Sequence, residues 1–114
     1  MKPFVAILLV VFLTACGHVK ISSLRGGPYF YEWADLYAAP SYPTHPISKE
    51  EADKREADGT SYYVAYYDEI GRLELLEQRG QRHWTKWKYT YEARKLKKIT
   101  TICDNGRTFE NEMK

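Results

Sequence analysis

An apolar run opens the chain, and nothing like it recurs. Residues 3–13 read PFVAILLVVFL behind Lys2. Past residue 60 the pattern changes to short aromatic and β-branched segments separated by turn residues. Residues 62–67 (YYVAYY), 72–77 (RLELLE), 84–91 (WTKWKYTY) and 96–102 (LKKITTI) are such segments, and each predicts a strand. In the third, alternation puts Trp87, Tyr89 and Tyr91 on one face and Lys86, Lys88 and Thr90 on the other. Asp68-Glu69-Ile70-Gly71, Arg79-Gly80, residues 92–94 and Asp104-Asn105-Gly106 punctuate the segments. Gly71 stands where a turn requires positive φ. Residues 107–109 can add a short last strand. Connections this short pair neighbouring strands in sequence order, which predicts an antiparallel meander.

Upstream, residues 29–33 (YFYEW) have strand character, whereas Pro40, Pro43 and Pro46 exclude a helix through residues 40–46. That stretch is expected to be an extended connector lying on a core edge, with ligand presentation as the alternative. Ser48 and Glu51 form a capping-box pattern behind the staple residue Ile47, and Gly59 is a stop signal. They predict one short helix. Only Ala52 and Ala57 are apolar within it, so it should lie on the surface. The expected fold class is α+β: an antiparallel β-meander of four to five strands with one short surface helix.

The opening run is too short for a spanning helix, which needs ~20 apolar residues. It ends in Leu13-Thr14-Ala15-Cys16, which resembles the lipobox of bacterial lipoproteins, Leu-[Ala/Ser/Thr]-[Gly/Ala]-Cys, at every position. The resemblance implies a diacylglyceryl thioether (and often further acylation, as by palmitate) on Cys16 and cleavage after Ala15. An ordinary secretory peptide and an uncleaved anchor are the competing readings. The expected organisation is a signal peptide over residues 1–15, a lipidated flexible tether over 16–27 and a small domain over 28–114. In lipoproteins of two-membraned bacteria, Asp after the Cys is the usual inner-membrane retention signal. Gly17 therefore implies an outer-membrane anchor facing the periplasm.

Processing would consume Cys16 and leave Cys103 without an intramolecular partner. Its strand setting favours a buried small residue over an inter-chain cross-link. The chain is 15% aromatic, too rich in ring surface for disorder, and carries a formal charge of only +2. That near-neutral sum hides an asymmetry. Residues 28–70 hold nine acidic and three basic groups, and residues 71–98 the reverse. Either the two halves compensate each other, or Arg82, Trp84, Lys86, Lys88 and Lys97 form a basic, aromatic face for an anionic partner. A glycan, an anionic lipid or an envelope protein suits such a face. Nucleic acid does not suit this location.

Tyr66-Tyr67-Asp68-Glu69-Ile70-Gly71-Arg72-Leu73 and, more weakly, residues 89–96 resemble the YD repeat of β-meander shell proteins. The resemblance implies hairpins and no chemistry. More loosely, residues 29–101 resemble a small bacterial family of unknown function. Its marks here are the aromatic strand, the connector ending Pro46-Ile47-Ser48, and Tyr63-Val64-Ala65-Tyr66-Tyr67-Asp68 leading to Gly71-Arg72-Leu73. Zinc, phosphate-loop and nucleophile-elbow motifs are missing. Asp68 and Glu69, the one adjacent acid/base candidate, are better explained by turn initiation. His83 has no acidic or thiol neighbour in sequence. No catalytic residue, metal or cofactor is expected. The functional expectation is a non-enzymatic, membrane-anchored envelope lipoprotein that binds an envelope component or a partner protein. The alternative is an immunity or inhibitor lipoprotein that neutralises a toxin or hydrolase.

Overall fold

A computed structural model describes residues 21–113. The lipobox, Cys16, Gly17 and His18 lie outside the described residues. The rest forms one antiparallel seven-stranded sheet and one helix. The elements are β1 (Gly26–Asp35), β2 (Tyr42–Pro46), α1 (Lys49–Asp58), β3 (Tyr62–Tyr67), β4 (Leu73–Arg79), β5 (Thr85–Glu92), β6 (Lys95–Cys103) and β7 (Thr108–Glu112). The sheet order is β2-β1-β3-β4-β5-β6-β7. From β3 onward it is the expected meander in sequence order.

Four to five strands were expected and seven are present. The proline connector is β2, paired with β1 from Tyr31↔Pro46 to Asp35↔Tyr42. An edge strand needs ladder bonds on one side only, so prolines are tolerated there. The ladder continues past Pro46, where the Ile47 amide donates to the Phe30 carbonyl at 2.9 Å. At the opposite edge, β7 extends to Glu112, and the full length of β1 supplies a central strand rather than a short aromatic run. Residues 26 and 27, expected in the tether, begin β1. Residues 21–25 lie against the β3–β4 turn, where the Ser22 amide donates to the Gly71 carbonyl at 2.8 Å.

Helix α1 forms where its caps predict. The Ser48 hydroxyl accepts from the Glu51 amide, and Gly59 closes the helix in the left-handed region at φ 74°. Only half of the capping box is made, because the Glu51 carboxylate turns to Arg55 Nε, 2.9 Å away. Ala52 packs with Ile47 on Tyr62, Val64, Phe30 and Tyr66, so the helix covers one face of β1 and β3. The other face holds the main core: Tyr31, Tyr63, Ala65, Leu73, Leu76 and Tyr89, flanked by Trp87, Tyr91 and Ile99. The expected alternation of β5 is therefore present. The Tyr89 hydroxyl donates to Ser41 in the β1–β2 connection at 2.8 Å. This bond joins β5 to the β1–β2 connection across the intervening β3 and β4, so the sheet curls over its tyrosine-rich face.

Candidate functional site

Buried Leu76 anchors the middle of β4 in the main core, and pleating turns the next residue, Glu77, to the opposite face. There Glu77 lies beside Val64 of β3 and opposite Lys86 of β5. Its side chain is only 5% exposed. Arg79, two residues on and on the same face, brings Nη2 to 2.6 Å from Glu77 Oε1, and Lys86 Nζ stands 3.8 Å from Oε2. The Arg79 contact is close but poorly aimed, so Oε1 is charge-paired yet accepts no well-formed hydrogen bond. The Lys86 ammonium also sits over the Trp84 ring, 5.0 Å from its centre. From α1, Glu56 accepts a 2.9 Å hydrogen bond from the Tyr62 hydroxyl. Glu56, Glu77, Arg79, Gln81, Trp84 and Lys86, with Gly80, line a cleft of about 310 Å³.

Electrostatics tie the cleft together. Burial alone would depress the Arg79 guanidinium, but the Glu77 carboxylate and Tyr62 outweigh it and raise its pKa. Burial, reinforced by the bond to Glu56, pushes the Tyr62 phenol above its ordinary value. The cleft holds two cations, two carboxylates, an amide and an indole. It can hydrogen-bond hydroxyls, pair an anion and offer an apolar wall at once.

Of the residues singled out from sequence, Trp84 and Lys86 meet in this cleft. Arg82 is exposed in the β4–β5 connection beside it, and Lys88 is exposed two residues along β5 on the Lys86 face. Lys97 is not brought to them. It lies toward the other end of the sheet and is paired with Glu92 at 2.6 Å. His83 acquires an acidic partner that its sequence neighbours do not reveal: Nδ1 is 2.7 Å from Asp104 Oδ2. Cys103 is free and half-buried at the end of β6, less enclosed than its strand setting predicts. Glu56, Glu77 and Arg79 went unseen in the sequence. Their one signal was the Leu75-Leu76 doublet, which breaks alternation and sends Glu77 to a covered position.

The opposite end of the sheet has a different construction. Asp68 accepts hydrogen bonds from the amides of Ile70 and Arg72 and from Arg72 Nε at 2.7 Å. Burial would raise its pKa, but the two amides and the guanidinium outweigh burial and hold the carboxyl below its usual range. Arg72 stacks on Tyr91 and donates to the Ala93 carbonyl at 2.5 Å, joining the β3–β4 and β5–β6 turns. This is the turn role expected of Asp68. Among the described residues no group of three or more His, Cys, Asp or Glu comes together as a metal site. Comparisons with protein-family models, curated proteins and solved structures found no match to the chain.

Proposed function

We propose that this chain is a lipid-anchored envelope protein, attached through Cys16, whose domain binds an anionic envelope component in the Glu77–Arg79–Trp84–Lys86 cleft. The observation that carries the binding reading is the pairing of Arg79 and Lys86 around one buried carboxylate. Within the cleft Glu77 and Glu56 balance these two cations, the exposed Arg82 and Lys88 beside it supply the excess positive charge, and Trp84 adds an apolar wall. A glycan bearing carboxylate or phosphate groups uses every group the cleft presents: the cations for the acid, Gln81 and the carboxylates for hydroxyls, and the indole for the ring face.

The reading is a binding module rather than a catalyst. Glu77 is held by Arg79 and Lys86, and Glu56 accepts from Tyr62, so both carboxylates are engaged. The anchor rests on the lipobox resemblance and places the protein at a membrane, the periplasmic face of an outer membrane where the source has one. A second reading, an inhibitor or immunity lipoprotein, draws support from the β1–β2 end. There Trp33, Leu36 and Tyr37 stand exposed together, as protein-contacting aromatics do.

Two measurements test the proposal. Radiolabelled palmitate should enter the wild-type protein and not Cys16→Ala; equal labelling rejects the anchor. Acidic oligosaccharides should bind the domain, neutral ones should not, and Lys86→Glu with Lys88→Glu should abolish binding. Unchanged binding in that variant rejects the cleft. Stoichiometric capture of one protein that is lost with Trp33→Ala and Tyr37→Ala favours the inhibitor reading.

A further inference from the structure

The chain leaves the sheet toward Cys16 at a defined place, and that place restricts how an anchored domain can stand. Residues 21–25 lie on the β3–β4 turn, with Ile21 and Ser22 against Gly71. Only four residues lie between Cys16 and Ile21, so the five Cα steps reach at most ~17 Å when fully extended. The β3–β4 and β5–β6 turns share this end of the sheet, joined by Arg72 and the Ala93 carbonyl. The cleft lies at the other end, beyond the six residues of β3 and the seven of β4, roughly 20 Å away at ~3.3 Å per residue.

The turn end also carries the chemistry of a membrane-contacting surface. Ile70 at its tip is 46% exposed, and Ile21 beside it is 37% exposed. The Arg25 guanidinium is exposed and, among the described residues, donates to the carbonyls of Ser22 and Leu24. Arg94 and Lys95 are exposed in the neighbouring turn and form no ion pair among the described residues. Asp68 with Arg72 and Glu92 with Lys97 neutralise each other, and the carboxylates at this end without an ion pair among the described residues are Glu69 at the tip, Glu74 near Tyr91 and Glu112 near Lys97. Arg25 and the Arg94–Lys95 corner flank the two exposed isoleucines at the point nearest Cys16, and cations beside an apolar tip match a leaflet that is anionic at its surface and apolar just beneath.

Resting on the Cys16 anchor, we infer that the turn end of the sheet docks on the anionic bilayer that holds the lipid, with Ile70 at the interface and Arg25, Arg94 and Lys95 on lipid phosphates. The cleft then faces away from that bilayer. Its ligand is drawn from the space the domain projects into and not from the headgroups beneath it.

The test uses the full-length lipidated protein in vesicles of phosphatidylcholine with phosphatidylglycerol, or of phosphatidylcholine alone. With Cys103→Ser as background, an environment-sensitive fluorophore is placed at Ile70→Cys or, as the opposite-end control, at Asn105→Cys. The expected result is a blue shift and quenching by lipid-borne nitroxide at position 70, in the anionic vesicles, with no change at 105. Arg94→Glu with Lys95→Glu should weaken the docked state by about fivefold per charge removed, and leave ligand binding in the cleft unchanged. A label at 70 that stays as solvent-exposed as the one at 105, on protein shown to carry palmitate, overturns the inference and leaves the anchor standing. Absence of palmitate overturns both.

Discussion

The two ends of the sheet are built from the same residue types and differ in how those residues are satisfied. At the turn end, Asp68 meets well-aligned donors from two amides and a guanidinium, and Arg72 carries the connection on to the next hairpin. At the cleft end, Glu77 is more deeply buried than Asp68, yet its nearer cation is misaligned and its second stands 3.8 Å away. A fully satisfied network fixes a fold, whereas a buried carboxylate with capacity to spare leaves a place for another molecule. The contrast extends to glycine. Gly71 and Gly80 both have φ near 90°, and a Cβ would stand 2.1 Å from the Ser22 carbonyl oxygen or 2.0 Å from that of Thr60. Ser22 belongs to a segment outside the sheet. Thr60 is held by its own bond to the Arg55 carbonyl at the end of α1.

The largest expected effect separates these glycines. Gly80→Ala should cost about 3 kcal/mol, because left-handed strain adds to a clash with fixed backbone. Gly71→Ala should cost about 1–2 kcal/mol, because residues 21–25 can lift away; urea denaturation of both variants checks the order. Next is Asp68→Asn, which weakens the turn network by about 2 kcal/mol. Because its folded pKa is depressed, the contribution of Asp68 is present above its unfolded pKa of about 4 and is lost as pH falls through the lower folded value. Denaturation midpoints between pH 2 and 7 should drop more steeply in the wild type than in Asp68→Asn; parallel curves would refute the role.

At the cleft, Lys86→Ala should weaken acidic-glycan binding by about tenfold, the worth of one charge-assisted hydrogen bond. Calorimetric titration reads it. Glu77→Met should leave stability within about 1 kcal/mol of wild type, since the misaligned buried ion is removed and the two cations left behind are exposed enough to turn to water. A large loss in thermal unfolding would make Glu77 a structural residue after all. The smallest effect belongs to Lys97→Ala. Its partner Glu92 is fully exposed and remote from the cleft, so titration should find binding unchanged.

The elements with strong local signals were legible in the sequence. Ser48, Ile47 and Gly59 define α1, Asp68 and Gly71 define the first hairpin turn, and the alternation of Trp87, Tyr89 and Tyr91 defines the core face of β5. Each depends on neighbours within a few positions, and local backbone preference alone sets them. What escaped was set by distant partners. β2 is a strand only because β1 offers a ladder to its prolines. The cleft exists only because register puts Glu77 against Lys86 while α1 delivers Glu56 from another part of the chain. Pattern and punctuation determined strands β3 to β6 and helix α1. Tertiary structure decided that Trp84 and Lys86 face one cleft, that Lys97 is spent on Glu92, and that the cleft and the β3–β4 turn lie at opposite ends of the sheet. Spacing along a sequence fixes which way a side chain leaves its strand, but not which charge it will meet there.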